Sequence, residues 1–278
     1  MRRVAGWRIG GRDVSAPPSD KEIRDAVANE ELSLVYQPEI DLLTRRIVAL
    51  EALLRWQHPE RGELGPESFV GLAERSGLIR SIGEWVVDTS IGALASWMTA
   101  IPELDVTLRV NISPVQINST DLVGLFETTL YRYGVPGSRL CIELTEHEPL
   151  HHPTHVASTL QQLRQLGIRS AIDDLATGYS TLSQLRWLPV DVVKIDRSLV
   201  TGIDTDARAE AIVTALIGLA INFGMGVVAE GVETEEEIET LLRLGCTRAQ
   251  GHLLGMPAPT GEVVRILRQR GNRAGQKN

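Results

Sequence analysis

The stretch "LQQLRQLGIRSAIDD", residues 160–174, contains a whole structural unit. Leu160, Leu163 and Leu166 recur at helical spacing, and Gly167 ends the turn. "IRSAI" then reads as a short strand that delivers Asp173 and Asp174 side by side. Apolar residues three or four apart give a helix one buried stripe, and a glycine just beyond it marks its end. The same unit returns further along. Ile212, Ala215, Leu216, Leu219 and Phe223 lead to Gly224 and "MGVVA"; Ile238, Leu241, Leu242 and Leu244 lead to Gly245 and "CTRAQG". Thr234 and Glu237 form a capping box at the entry to the last helix. Helices alternating with short apolar strands imply a parallel sheet with crossover connections. From about residue 100 onward enough units follow to close a ring. An α/β fold of the TIM-like (βα) barrel type is therefore expected. No GxGxxG follows an early strand and no GK[ST] loop occurs, which weakens the open dinucleotide-binding alternative.

The bulk composition agrees. A chain of 278 residues, 43% of them hydrophobic, can build one large barrel core. A net charge of −8 argues against a partner that is a nucleic-acid polymer, which would need a basic face. Cys141 and Cys246 stand far apart in apolar segments, as buried thiols of a reducing cytoplasm do, and make neither a disulfide framework nor a zinc pattern. Residues 211–229 carry no charge and approach the length of a membrane span. Asn222, Gly224 and Gly226 interrupt them where a helix should pass into a strand, so no span is expected. The first residues lack the apolar centre of a secretory signal. The organisation expected is an extension over 1–19, a barrel over 20–268 and a flexible tail over 269–278.

In such a barrel, chemistry gathers where the strands end. "IVALEALLRW" presents Glu51 and Arg55, "LRVNIS" Asn111, and "LCIELTE" Glu143 and Glu146. "SAIDD" adds Asp173 and Asp174, "DVVKID" Lys194 and Asp196, "VVAEGVE" Glu230 and Glu233, and "RAQG" Gln250. One strand-end acid taken alone is more simply a helix cap or a surface charge. Many oxygen donors converging on one rim with a single lysine point instead to hard divalent cations, Mg²⁺ or Mn²⁺. The number of carboxylates suits two ions, the arrangement used in phosphate-ester hydrolysis. A carboxylate-pair glycosidase would explain two acids but not Asn111 and Lys194.

The quoted segments also carry a family resemblance. "YQPEIDLLTRRIVALEALLRWQHP" (36–59) resembles the signature of EAL domains, with Glu51-Ala52-Leu53 as its label. The likeness continues through "VNIS", "IELTE", "IDDLATGYSTLSQLRWLPVDVVKIDRSLV", "VVAEGVET" and "AQGHLLGMPAP", from about residue 20 to 265. It implies a modified TIM barrel, a cytoplasmic homodimer, and hydrolysis of cyclic di-GMP to linear 5′-pGpG. By the same resemblance the metal ligands fall on Glu51, Asn111, Glu143, Asp173, Asp174 and Glu230, with Asp173 bridging two ions. Lys194 would hold the attacking water, Gln250 would join its hydrogen-bond network, and Glu146 would anchor the loop after Asp174. Gln37 and Arg55 resemble substrate contacts, a guanidinium being suited to phosphate oxygens. One departure stands out: the family's Asp-Phe-Gly-Thr-Gly loop reads Asp174-Leu175-Ala176-Thr177-Gly178 here. That loop links site and dimer surface in the family, which leaves open a silent cyclic di-GMP receptor that regulates a partner, or an interaction module without the nucleotide. The histidines of "EHEPLHHPTH" (146–155) fit no helical zinc pair and read as a solvated loop.

Overall fold

The structure, a computed structural model, describes residues 8–9, 12–13, 17–119, 121–144, 153–175 and 187–273, with backbone alone at 8–9, 12–13, 119, 174–175 and 271–273. A two-stranded ribbon, β1 (Arg8–Ile9) and β2 (Arg12–Asp13), comes first. The strands that follow are β3 (Leu32–Asp41), β4 (Ile47–His58), β5 (Gly62–Leu64), β6 (Thr107–Ile112), β7 (Leu140–Leu144) and β8 (Arg169–Leu175). β9 (Val192–Ile195), β10 (Gly226–Ala229), β11 (Arg248–Gln250) and β12 (Ala258–Pro259) complete them. β3, β4, β6, β7, β8, β9, β10 and β11 pair in that order, and β11 returns to β3. The ring is a closed eight-strand barrel with β5 and β12 as short additions.

From β4 round to β11 every pairing is parallel, as the repeated helix–glycine–strand unit requires. The units lie where the sequence places them. The helix Pro153–Gln165 gives way at Gly167 (φ 87°) to β8, and the helix Ala207–Asn222 gives way at Gly224 (φ 72°) to β10. Positive φ at these two turns is what glycine supplies without steric cost. No described helix is long and apolar enough to cross a membrane. The capping box at the helix Glu235–Arg243 is present: Thr234 Oγ1 accepts from Glu237 N at 3.2 Å, and Glu237 Oε2 accepts from Thr234 N at 3.1 Å. The helix Thr260–Arg273 crosses the boundary expected at residue 268.

One strand departs from the simple repeat. β3 runs antiparallel to both β4 and β11. Residues 42–46 alone separate β3 from β4, far too few for a crossover helix, so the chain can only turn back. Asp41 Oδ1 accepts from Thr44 N (2.7 Å) and Thr44 Oγ1 (2.8 Å), and Arg45 takes a left-handed conformation at φ 59°. Reversing β3 leaves its inward residues facing the same interior as those of β4: Gln37 stands opposite Glu51 in the register.

Below the mouth, the barrel interior is filled by a small apolar layer of Cys141, Ala171, Val192 and Val228. The larger core lies between the barrel and its helices and includes Trp56, Trp97, Tyr36, Phe69 and Phe126, all nearly inaccessible. Both cysteines are buried free thiols.

Candidate active site

Successive side chains in a strand alternate between faces, so one inward residue per strand makes a layer across a barrel. In the layer above Cys141, Ala171, Val192 and Val228 stand Glu143, Asp173, Lys194 and Glu230, each two residues further along its strand or just past its end. Glu51 of β4, Asn111 of β6 and Gln250 of β11 complete the rim. The register fixes this convergence, with Asn111 paired to Glu143 and the Glu230 amide donating to Ile195 O at 3.0 Å.

Lys194 lies at the centre and is fully buried. Its Nζ stands 2.6 Å from Glu230 Oε1, 2.9 Å from Glu143 Oε2, 3.1 Å from Glu51 Oε2 and 3.2 Å from Asp173 Oδ1. Gln250 Nε2 donates to Glu51 Oε2 (2.6 Å) and Glu230 Oε1 (2.8 Å), and Asn111 Nδ2 donates to Glu51 Oε1 (2.9 Å). One oxygen each from Glu51, Glu143 and Asp173 lie within 4.8 Å of one another, a spacing able to hold a metal ion.

Electrostatics divides these acids. Burial alone would raise Glu51, but the Lys194 charge and the hydrogen bonds from Gln250 and Asn111 outweigh it and bring the carboxyl down to about 2. For Glu143 burial prevails over Lys194, the charges on Glu51 and Asp173 add to it, and the carboxyl is pushed up to about 8. Glu230 is likewise raised, first by burial. Burial disfavours the Lys194 ammonium, yet the surrounding carboxylates hold it protonated well above the ordinary lysine value. The crowding of acids around Lys194 thus favours the neutral form of Glu143 and Glu230.

Not every expected residue joins this cluster. Gln37 Nε2 donates to Gly255 O at 3.3 Å, and Arg55, four residues beyond Glu51 on β4, donates to Leu54 O and pairs with Glu63 at 3.7 Å. Asp174 has its backbone in β8, but its side chain lies outside the described residues, as do Glu146 and the loop residues Ala176–Gly178. Of the clustered histidines, His155 is described and lies exposed on the helix Pro153–Gln165.

The sequence reading also missed an ion pair. Beneath the rim, Arg109 Nε meets Glu39 Oε2 at 2.6 Å, and Arg109 Nη1 stands 3.5 Å from Glu143 Oε1. Lys194 is therefore not the lone cation of the interior. The signal was a charged residue at an inward position of each strand, in "TLRVNI" and "YQPEID". A cavity of about 280 Å³ opens beside the cluster, with Leu53, Val70 and Ile79 on its apolar wall and Glu51, Asn111 and Asp173 at its polar end.

The EAL domain family model matches residues 20–257. The chain belongs to the EAL domain family. Among similar proteins is an uncharacterized protein of Mycobacterium tuberculosis, 39% identical over 245 residues, covering 88% of this chain and 39% of the relative. The bifunctional diguanylate cyclase/cyclic di-GMP phosphodiesterase MucR of Pseudomonas aeruginosa is 37% identical over 243 residues, covering 87% of this chain and 35% of MucR. This EAL chain thus spans well under half the length of the curated relatives it matches. Among solved structures, the PaMucR phosphodiesterase in complex with c-di-GMP superimposes with a TM-score of 0.82 at 37% identity, covering 87% of this chain and 98% of that one.

Proposed function

We propose that this EAL domain hydrolyses cyclic di-GMP to linear 5′-pGpG in the bacterial cytoplasm, using Mg²⁺ or Mn²⁺. The observation that carries this reading is the meeting of Glu51, Glu143 and Asp173 around the buried Lys194 in the mouth of the barrel. Similarity to a phosphodiesterase complexed with c-di-GMP supports the choice of substrate.

The donor set fits a hard cation: it offers carboxylate and amide oxygens and no thiolate, and two of its acids carry raised pKa values that a nearby positive charge would relieve. Glu51, Asn111, Glu143, Asp173, Asp174 and Glu230 would hold two ions. Bound there, the cations would lower the pKa of a water and neutralise the scissile phosphate. The chain's own groups do the rest. Asn111 and Gln250 each donate to Glu51, which fixes its carboxylate. The Lys194 ammonium favours the hydroxide form of a water beside it. Arg55 and Gln37, outside the acid cluster, would bind the substrate's phosphate and base edges, and the apolar wall of the neighbouring cavity suits a planar nucleobase. Glu146 would anchor the loop after Asp174. No covalent nucleophile is needed. The protein is expected to act as a homodimer.

The reading of a silent receptor would be supported by a lost acid or lysine, and Glu51, Asn111, Glu143, Asp173, Lys194 and Glu230 are all retained. The test is hydrolysis of cyclic di-GMP with Mn²⁺ by the wild type and by Asp173→Asn. Turnover by the wild type and a loss of roughly a thousandfold in a folded Asp173→Asn protein are expected. A folded Asp173→Asn variant with near wild-type turnover would remove the metal mechanism. Tight binding without turnover by the wild type would establish the receptor instead.

A further inference from the structure

The Arg109–Glu39 pair has no part in the mechanism above, yet it touches it. Arg109 lies two residues before Asn111 on β6 and so occupies the same inward face one layer lower, between Glu51 of β4 and Cys141 of β7 in the register. Arg109 is 2% exposed and Glu39 fully buried. Nε donates to Glu39 Oε2 at 2.6 Å, and Nη1 donates to Cys141 Sγ at 3.3 Å. The rest of the layer is small and apolar: Cys141, Ala171, Val192 and Val228. A buried pair in such a setting is often no more stabilising than well-packed apolar residues, so stability is a poor reason for it.

Its geometry suggests a better one. Glu143 Oε2 is held by Lys194, whereas Glu143 Oε1 accepts no hydrogen bond among the described residues. The cation beneath Oε1 is Arg109, at 3.5 Å. Glu39 holds the guanidinium at Nε and thereby keeps it from closing fully on Glu143, so Arg109 can direct that carboxylate without capturing it. We propose that Arg109, locked by Glu39, is a positioning residue that sets the direction of the Glu143 carboxylate and, through it, the affinity of the centre for divalent cations. The inference rests on the metal reading given above. Outer-shell partners of metal ligands commonly change metal affinity by about 10–100-fold.

The experiment measures Mn²⁺ binding to metal-stripped protein by the electron paramagnetic resonance signal of free Mn²⁺. Glu39→Met combined with Arg109→Met removes one charge of each sign, so the net charge of the interior is unchanged and the lost hold on Glu143 is isolated. Its Mn²⁺ dissociation constant is expected to rise about tenfold or more. Glu39→Gln keeps the volume, loosens Arg109 and lets it compete for Glu143, and should also weaken Mn²⁺ binding several-fold. The Mn²⁺ concentration for half-maximal hydrolysis should rise in parallel. Unchanged Mn²⁺ affinity in the folded double variant, or in Glu39→Gln if the double variant does not fold, would overturn the proposal while leaving the metal centre intact. A wild type that binds no Mn²⁺ would overturn the metal reading, and this inference with it.

Discussion

At the scale of single residues, Lys194 is what permits the acids of the rim to share one mouth. Its ammonium lies within 3.2 Å of Glu51, Glu143, Asp173 and Glu230, all reaching into space closed to solvent or nearly so. Removing one member of a buried ionic cluster typically costs about 3–5 kcal/mol, because the remaining charges lose their partner. Lys194→Met, which keeps the apolar stem, should therefore lower the melting temperature of the metal-free protein by roughly 10 °C. Added Mn²⁺ should recover more of that loss than it adds to the wild type, since it restores positive charge to the same place. Calorimetry in EDTA and in Mn²⁺ measures both effects. An unchanged melt in EDTA would mean that the ammonium does not hold the cluster together. The residues of this cluster were legible from their strand-end positions; Arg109 and Glu39 were missed because they lie inside β-runs, where alternation gives the face of a charge but not its partner across the barrel.

At the scale of elements, the helix Asp20–Ala28 is joined to the barrel through its first turn. Ser19 and Glu22 form a capping box, with Ser19 N donating to Glu22 Oε2 at 2.7 Å, and Glu22 Oε1 lies 3.6 Å from Arg61 and 3.5 Å from His58. The hydrogen bonds from Ser19, aided by the Arg61 charge, hold the Glu22 carboxyl down at about 2. A carboxyl whose folded pKa is depressed contributes stability above its unfolded pKa of about 4.5 and loses it as pH falls through the folded value. Glu22→Gln should thus cost about 1 kcal/mol at pH 7, in the range of a lost cap, and the gap from wild type should narrow towards pH 2. Urea denaturation at pH 7 and pH 3 checks this. A gap that is constant with pH would assign the cost to packing. The helix ends at Gly167, Gly224 and Gly245 and the capping box at Thr234 were plain in the sequence, since such end signals are local devices. The Ser19–Glu22 box was not read from it. The β3–β4 reversal was equally local, written in the few residues between two β-runs, but the strength of the later repeat obscured it.

At the scale of the whole molecule, the closed barrel gathers four carboxylates around the single ammonium of Lys194. A ligand that binds only the folded state stabilises it in proportion to the logarithm of its concentration over its dissociation constant. Mn²⁺ at a hundredfold excess over that constant should add about 2.7 kcal/mol, or roughly 5–10 °C in melting temperature, and EDTA should reverse it. Ca²⁺ should also raise the melt but fail to support hydrolysis, being larger and a poorer activator of water. Thermal melts with each cation, beside the hydrolysis assay, test this directly. No shift with Mn²⁺ would leave the cluster a purely internal ion network around Lys194.

The sequence alone determined the parallel part of the barrel, through helix stripes ending in glycine, and it placed an acid or amide at the end of strand after strand. Those features are local: spacing along a chain reports which face of an element is buried and where that element stops. The tertiary structure decided the rest. Ring closure brought Gln250 of the last parallel strand within hydrogen-bonding reach of Glu51 on β4, 199 positions away, and put Lys194 at the centre of four carboxylates. It also left Arg55 outside the acid cluster although it shares a strand with Glu51, because distance along β4 carries it past the rim. Which residues meet across a barrel depends on register and layer, and these are fixed only when all eight strands close together.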